Sequence, residues 1–244
     1  MDNALMIGLQ TQRVLQRRMD ITANNLANVN TSGFRADSLV TQEIDNTAAH
    51  AEGDPRDVRF VRDVMELHDM AQGPINNTGN PLDVAIQGSG FFMVQGPNGA
   101  TQYTRDGSFA INSDGRLVTS DGYPVLSAGG SPITFEAEGG APAITRDGAI
   151  TVDGTEVGRL GIVDFANPQA LQKVGENLWS ANGQGSKDFE GVVIQGAVEG
   201  SNVNPVLEVT RLIEISRAYE SAARIVSGAD DLRQRALQRL GQVQ

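Results

Sequence analysis

Near its C-terminal end the chain carries apolar residues at alternating intervals of three and four, the spacing of a helix that packs along another helix. Asn204 suits an N-cap and Pro205 the first helical position, so one continuous helix is predicted over residues 205–243. At ~1.5 Å per residue it would be about 55 Å long, more than the width of a small domain. One partner helix cannot bury both of its apolar stripes, so either a bundle or neighbouring chains must supply the rest. The first stripe comprises Ile215, Ala218, Ala222, Ile225, Ala229, Leu232, Ala236 and Val243, and the second Val209, Leu212, Tyr219, Val226 and Leu240.

A second helical pattern, over residues 3–28, gives the C-terminal helix a candidate partner. It ends in a run of asparagines, whose side chains compete with helical hydrogen bonds, and Gly33 then suits a left-handed or crowded backbone. The two helices are therefore predicted to carry an assembly interface. Its residues are Leu5, Leu9, Leu15, Met19 and Leu26 in the first helix, and Leu212, Ile215, Ala222, Ile225 and Leu232 in the second.

The middle of the chain is first polar and irregular, and then takes on a period of two. Residues 35–77 indicate a linker or extended ribbon, with a loop at 48–56 and strand-like alternation over 58–64. Further strands are predicted at 82–86, 91–94, 150–152, 157–163 and 192–195. Between these segments, Asn-Gly and Asp-Gly pairs predict the tight turns of a β-meander. The pairs are Asn98-Gly99, Asp106-Gly107, Asp114-Gly115, Asp121-Gly122, Asp147-Gly148 and Asp153-Gly154.

Together these patterns predict an α+β fold class. Long N- and C-terminal α-helices would be paired as a coiled coil, with a glycine-rich, mainly antiparallel β domain in the middle. The predicted boundaries are 1–34 for the N-terminal helix of the coiled-coil domain, 35–77 for the linker or ribbon, 78–200 for the β domain and 201–244 for the C-terminal helix.

Composition narrows the classes of partner. A formal net charge of −11 argues against nucleic acid, because neutralising phosphates requires concentrated Lys and Arg. The absence of cysteine excludes disulfides and thiolate metal sites. No apolar run approaches the ~20 residues of a membrane span, so no membrane insertion is expected. With Asp2 early and Arg17 and Arg18 late, the N-terminus is unlike a signal peptide, so if the chain is exported, no cleaved signal is expected.

Candidate chemistry is weak, so the sequence predicts neither an enzyme nor a cofactor or metal site. The loop Gly88-Ser89-Gly90 begins like a dinucleotide motif but has Met93 at the last glycine position and no helical pattern after it. His50 and His68 lack a second ligand at metal spacing. A lone Trp179 beside a strand pattern is more often core than a carbohydrate platform.

Four blocks, in order along the chain, carry a family resemblance. They run from Ala23 to Phe34 (ANNLANVNTSGF), from Asn80 to Phe92 (NPLDVAIQGSGFF), from Tyr103 to Phe109 (YTRDGSF), and through EGSNVN at 199–204 with RAYE at 217–220. In them the chain resembles the family of bacterial flagellar rod and hook proteins. The motif residues are Asn24, Asn25, Asn28, Gly33, Phe34, Asn80, Pro81, Leu82, Asp83, Ser201, Asn202, Asn204 and Tyr219.

The resemblance implies a structural subunit of the flagellar basal-body rod that polymerises through its terminal helices and transmits torque. Its implied partners are other rod proteins, copies of itself in a helical assembly and the flagellar type III export apparatus, and its implied location is the periplasmic rod. The opening Met1-Asp2-Asn3, the short length and the EGSNVN block resemble the proximal-rod members most, with a distal-rod member as the alternative. From another class, a secreted β-rich binding module with a coiled-coil stalk is also an alternative.

Overall fold

The computed structural model describes residues 2–45, 59–136, 140–175 and 177–241. It divides into two compact units. The helical unit comprises Met1–Ala27, Asp37–His68 and Asn204–Gln244, and the β unit comprises Asn28–Ala36 and Asp69–Val203. Neither terminal helix has the length and apolar character that crossing a bilayer requires, over the residues described.

The helical unit consists of two helices and a two-stranded hairpin. Helix α1 spans Asp2–Ala27 and helix α2 spans Pro205–Gly241. Strands β1 (Asp37–Asp45) and β2 (Arg59–His68) pair antiparallel, and α1 packs against α2 and against both strands. At the open end of the hairpin, His68 Nδ1 lies 2.7 Å from Asp37 Oδ1. The predicted loop at 48–56, including His50, falls outside the described residues.

The predicted fold class, with long terminal helices paired as a coiled coil, is wrong. The structure has one short N-terminal helix, one C-terminal helix and a large β-rich middle. Helix α1 has 26 residues and α2 has 37, so α1 cannot run along the whole of α2. Helix α1 also packs on β1 and β2, so part of its surface faces a hairpin instead of a helix.

The two predicted stripes of α2 do not divide into an inward one and an outward one. The least exposed positions of α2 combine both stripes: Ala222 is buried, and Leu212, Ile215, Tyr219 and Val226 are half-buried. By contrast, Ile225 and Leu232, assigned to the first stripe, are 67% and 62% exposed. The inward face therefore lies between the two predicted stripes.

The β unit is built of short strands, and all their pairings are antiparallel. A six-stranded sheet has the order β13-β14-β6-β5-β12-β15, a three-stranded sheet the order β11-β10-β9, and three two-stranded sheets pair β16 with β4, β17 with β3 and β7 with β8. The strands are β3 (Ile75–Asn77), β4 (Val84–Gln87), β5 (Phe91–Gln95), β6 (Thr101–Thr104), β7 (Phe109–Ile111), β8 (Leu117–Thr119), β9 (Ala143–Ile144), β10 (Ala149–Val152), β11 (Thr155–Arg159), β12 (Ile162–Phe165), β13 (Gln172–Gly175), β14 (Leu178–Ser180), β15 (Ser186–Asp188), β16 (Val192–Gln195) and β17 (Ala197–Glu199), with a 3₁₀ turn at Pro168–Ala170.

Two apolar clusters form the core of the β unit. The larger includes Val84, Phe92 and Ile150, each fully buried. The smaller surrounds Trp179 with Phe91, Phe165 and Leu171. Trp179 is fully buried, so its prediction as a core residue is confirmed.

Most of the predicted turns are confirmed, and one is not. Asp153 and Gly154 have φ of 50° and 83° between paired β10 and β11, the left-handed geometry of a tight hairpin. Asp106-Gly107 makes no hairpin, because β6 pairs with β5 while β7 pairs with β8. Gly107 instead provides a close approach, since a Cβ there would collide with the carbonyl of Val84.

One predicted strand of the β unit differs from the structure. The predicted strand at 157–163 is divided between β11 and β12, whereas the one at 192–195 matches β16. The alternation predicted over 58–64 falls in β2, except for Val58, which lies outside the described residues. The domain boundaries predicted from the sequence stay a prediction.

Candidate functional site

Helix α2 exposes two apolar patches on different sides. Val206, Val209 and Ile213, which are 76%, 42% and 49% exposed, have the i, i+3, i+7 spacing of one helical face. We call them the N-terminal patch. Ile225 and Leu232, spaced by seven, form the C-terminal patch about a quarter turn or more around the helix from the first. A helix that is apolar on several sides requires further partners to cover it.

The predicted interface residues divide into exposed and covered ones. Leu9 is 45% exposed, and Ile225 and Leu232 are 67% and 62% exposed. Leu5 lies in α1, but its side chain is outside the described residues. The remainder are half-buried or buried: Leu15, Met19, Leu26, Leu212, Ile215 and Ala222. Their role in assembly stays a prediction.

Tyr219, the motif residue in the middle of α2, lines a shallow pocket between the helices. The pocket has a volume of about 530 Å³, and Met6 and Leu9 of α1 also line it. Met6 is 53% exposed, so this apolar surface is open on one side.

Asn25 connects three elements of the helical unit. Its side chain is 1% exposed and donates to the carbonyl of Asp37 at 2.8 Å and to Glu208 Oε2 at 3.3 Å. Its Oδ1 accepts from the Asp37 amide at 2.9 Å. Glu208 is 3% exposed, and its other oxygen accepts from Arg211 at 2.6 Å. The neighbouring Asn24 is exposed.

Asn204 caps α2 as predicted. Its Oδ1 accepts from the amides of Val206 and Leu207 at 3.1 and 3.3 Å, satisfying two donors of the first turn. Helix α2 then starts at Pro205.

Gly33 has the predicted left-handed backbone, with φ of 68°. Its amide donates to the carbonyl of Glu199 at 2.7 Å. A Cβ at this position would lie 2.4 Å from the backbone carbon of Arg105, so a side chain is excluded by space as well as by φ. The prediction of a crowded, positive-φ glycine is confirmed.

A buried charge cluster lies beside Gly33 in the β unit. Glu199 is fully buried and lies between Arg35, 2.6 Å from Oε1, and Arg105, 3.0 Å from Oε2. The Arg35 contact is an ion pair without a well-aligned hydrogen bond, since its Nη2 has no partner by hydrogen-bond geometry. Burial lowers the pKa of Arg105 to about 10, although the Glu199 carboxylate acts to raise it. Glu199 Oε1 also accepts from the Gly73 amide.

The Asn80-Pro81-Leu82-Asp83 block forms a closed turn before β4. Asn80 Nδ2 donates to Asp83 Oδ1 at 2.9 Å, and the Thr78 hydroxyl donates to Asp83 Oδ2 at 2.6 Å. Leu82 is half-buried against the larger core, while Pro81 is exposed. The block therefore acts as a structural turn.

The remaining motif residues of the β unit make contacts within that unit, some with backbone and some with side chains. Asn202 accepts from the Ala36 amide at 2.8 Å and donates to the carbonyls of Asp69 and Ala71. Ser201 Oγ accepts from the Val203 amide. Asn28 Oδ1 accepts from the Thr31 hydroxyl, and buried Phe34 has Lys173 Nζ 4.2 Å from its ring centroid.

Among the residues that the structure describes, the motif side chains make internal hydrogen bonds and α2 exposes two apolar patches. The segment Gly88–Gly90 leads into strand β5, so the helix that a dinucleotide motif needs does not follow it. No group of three or more metal-ligating side chains occurs among the residues that the structure describes.

Three regions of the chain match known protein families. Residues 5–35 match the family described as "Flagella basal body rod protein", residues 85–155 the "Flagellar hook protein FlgE/F/G D1 domain", and residues 194–239 the "Flagellar basal body rod FlgEFG protein C-terminal". The chain is 41% identical over 245 residues to the flagellar basal-body rod protein FlgF of Caulobacter vibrioides, covering 100% of both chains.

The chain belongs to the flagellar basal-body rod protein family. It is a structural subunit of the rod, and the similarity favours FlgF over FlgG. FlgF of Mesorhizobium japonicum is 35% identical over 99% of both chains. FlgG of Buchnera aphidicola subsp. Baizongia pistaciae is 35% identical over 93% of this chain and 95% of that protein.

Sequence reasoning gave the rod protein's motifs but missed the partners that explain them. Arg105 and Glu199 lie inside the sequence blocks that carry the family resemblance, and Arg35 directly follows the first block. None of the three was assigned a role from the sequence. Glu208 in the first turn of α2 was also missed, although an acidic residue there suits the helix dipole. Their burial is set by contacts distant in sequence, which no local pattern shows.

Proposed function

We propose that this rod protein polymerises with copies of itself and with other rod proteins to form the proximal part of the rod, and that the two α2 patches contact neighbouring subunits. The observation that carries the proposal is the exposure of Ile225 and Leu232, at 67% and 62%, on a helix that is already packed on another side. Apolar burial of about 1.5–3 kcal/mol per side chain would favour assembly before ordering costs are subtracted.

The subunit's role in this proposal is mechanical and non-enzymatic. Contacts repeated from subunit to subunit without closing a ring generate a helical assembly, which transmits torque. We propose that it reaches the periplasmic rod through the flagellar type III export apparatus. The family similarity to FlgF supports the proximal position over the distal one.

The test uses two adjacent residues on different sides of α2. Ile225→Asp should prevent incorporation into the rod, because assembly would bury an unpaired carboxylate, while changing the monomer's free energy of unfolding by less than about 0.5 kcal/mol. Val226→Asp, at a half-buried position, should destabilise the helical unit of the monomer itself. Basal-body content and motility are measured in cells, and thermal unfolding in purified monomer.

Ile225→Leu is the matched control and should incorporate normally. Basal bodies that contain Ile225→Asp at the wild-type level would refute the contact through the C-terminal patch. Purified wild-type basal bodies that lack the chain would refute the proposed function as a whole.

A further inference from the structure

Two close contacts fix how α1 lies along α2. At one end, Asn25 of α1 bonds Glu208 of α2. At the other, an ideal Cβ placed on Gly8 would lie 2.6 Å from Val226 Cγ2. Between these two contacts, residue numbers rise along α1 while they fall along α2 by nearly the same amount. The helices are therefore antiparallel and keep a single register between these points.

The apolar residues between the two contacts do not select this register by themselves. Leu212, Ile215, Tyr219 and Ala222 follow each other at intervals of three and four. A slip of α1 by one turn would again place apolar side chains opposite apolar side chains. Something other than apolar burial must therefore distinguish the observed register from a slipped one.

Asn25 provides that distinction. Its amide makes three hydrogen bonds at once, two with the backbone of Asp37 in β1 and one with the Glu208 carboxylate in α2. A slip of α1 by four residues would place Ile21 near the buried carboxylate, which would lose its donor from α1 and incur a desolvation penalty. A slip by three would bring Thr22, whose single hydroxyl donor cannot replace both donors of the Asn25 amide. In the other direction the residues that would take the place of Asn25, Asn28 and Val29, lie beyond the end of α1 at Ala27.

At the other end of the helix pair, Gly8 also favours the observed register. Under a slip of one turn, Ala4, Leu5, Thr11 or Gln12 would replace Gly8 opposite Val226, and each of them carries a Cβ. The observed close approach tolerates none without a shift.

We propose that Asn25 is a register-determining residue of this subunit. Through Glu208 and Asp37 it selects one antiparallel register of α1 on α2 over the slipped ones. A buried polar residue that specifies the pairing of helices commonly does so at a cost in stability. The inference concerns one subunit alone and does not depend on the proposed assembly.

Disulfide formation reports the register directly, because the natural chain has no cysteine. A Cβ on Gly8 would lie 4.0 Å from Val226 Cβ, within the range of about 3.5–4.5 Å for disulfides, so Gly8→Cys with Val226→Cys reports the observed register. Gly8→Cys with Ala222→Cys, or with Asp230→Cys, reports a slip of one turn in either direction. Each pair is oxidised in dilute monomer and its cross-linked fraction measured.

Asn25→Leu should lower the ratio of observed-register to slipped cross-links by about tenfold, the effect of losing a hydrogen bond to a charged group. The control Asn24→Leu, at the exposed neighbouring position, should leave the ratio unchanged. An unchanged ratio in Asn25→Leu would overturn the proposal.

A second pair of variants at Glu208 keeps the test informative if Asn25→Leu folds poorly. Glu208→Gln still accepts a bond from Asn25 and should retain the observed register, whereas Glu208→Leu should slip. Equal ratios in these two variants would overturn the proposal. So would loss of the helical circular dichroism signal in both leucine variants, because the network would then be needed for stability rather than for register.

Discussion

The two units of this rod protein bury their side chains to very different degrees. In the β unit, Phe92 and Trp179 are fully buried, and even the charged Glu199 has no exposed surface. In the helical unit, Val206 and Ile225 leave most of their apolar surface exposed. The β unit thus buries its large apolar side chains and pairs the buried Glu199 with its own arginines, while the helical unit leaves apolar surface exposed. One chain therefore combines a β unit with a buried core and a helical unit with exposed apolar side chains.

The largest expected effect tests whether the β unit is self-sufficient. Glu199→Gln should destabilise it by about 3–5 kcal/mol, because two buried guanidinium groups would lose their counter-charge. Urea unfolding followed by fluorescence measures this, since Trp179 is the chain's only tryptophan and lies in the β unit.

The matched control for this effect is an exposed ion pair. Arg159 and Asp147 are 51% and 60% exposed, so Asp147→Asn should leave the urea midpoint of the β unit nearly unchanged. Similar losses in Glu199→Gln and Asp147→Asn would show that the buried cluster does not stabilise the β unit.

A smaller effect is expected in the helical unit. Asn204→Ala removes the acceptor for two amides at the start of α2 and should cost about 1 kcal/mol. Circular dichroism at the helical band should detect the loss, while Trp179 fluorescence should keep its midpoint. A shift of the fluorescence midpoint as large as that of the helical signal would show that the loss of the cap is not confined to the helical unit, contrary to this expectation.

The smallest expected effect is a dependence of stability on pH. Burial raises the pKa of Asp106 above its ordinary value of 3.8, although hydrogen bonds from Ser108 and Ser120 oppose the shift. The folded state therefore holds this proton more tightly than the unfolded state, and its contribution to stability is lost as pH rises from about 3.8 through the raised pKa.

Asp106→Asn should remove that part of the pH dependence, measured as urea midpoints between pH 3 and 7. Asp114→Asn, at an exposed turn position, serves as the control and should leave the profile as it is. A wild-type profile in Asp106→Asn would exclude Asp106 as the source.

Local signals were enough to predict the features that depend on a few neighbouring residues. The cap at Asn204, the positive φ at Gly33 and the strand at Val192–Gln195 each follow from short-range chemistry. The turn at Asp153-Gly154 is of the same kind, since both residues tolerate left-handed backbone.

Features that depend on distant partners were not predictable in this way. Two neighbouring stripes of α2 had similar apolar content, and only contacts with α1, such as those at Val226 and Glu208, show which positions face inward. Asp106-Gly107 has the composition of a hairpin turn, yet Gly107 is used for a close approach to Val84. The predicted coiled coil was wrong because α1 and α2 differ in length and α1 also packs on a hairpin. Neither fact can be read from the local pattern of either helix.

The order in which the β unit uses the chain has a consequence for its folding. The Ala36 amide bonds Asn202, a residue 166 positions later, and the segment Asn28–Ala36 belongs to the β unit although β1 and β2 follow it. Closing so long a loop is slow, because its entropy must be lost before the contact stabilises anything. A nascent chain cannot complete this unit until the residues just before α2 have emerged, so most of the polypeptide is synthesised before its β unit can reach the native state.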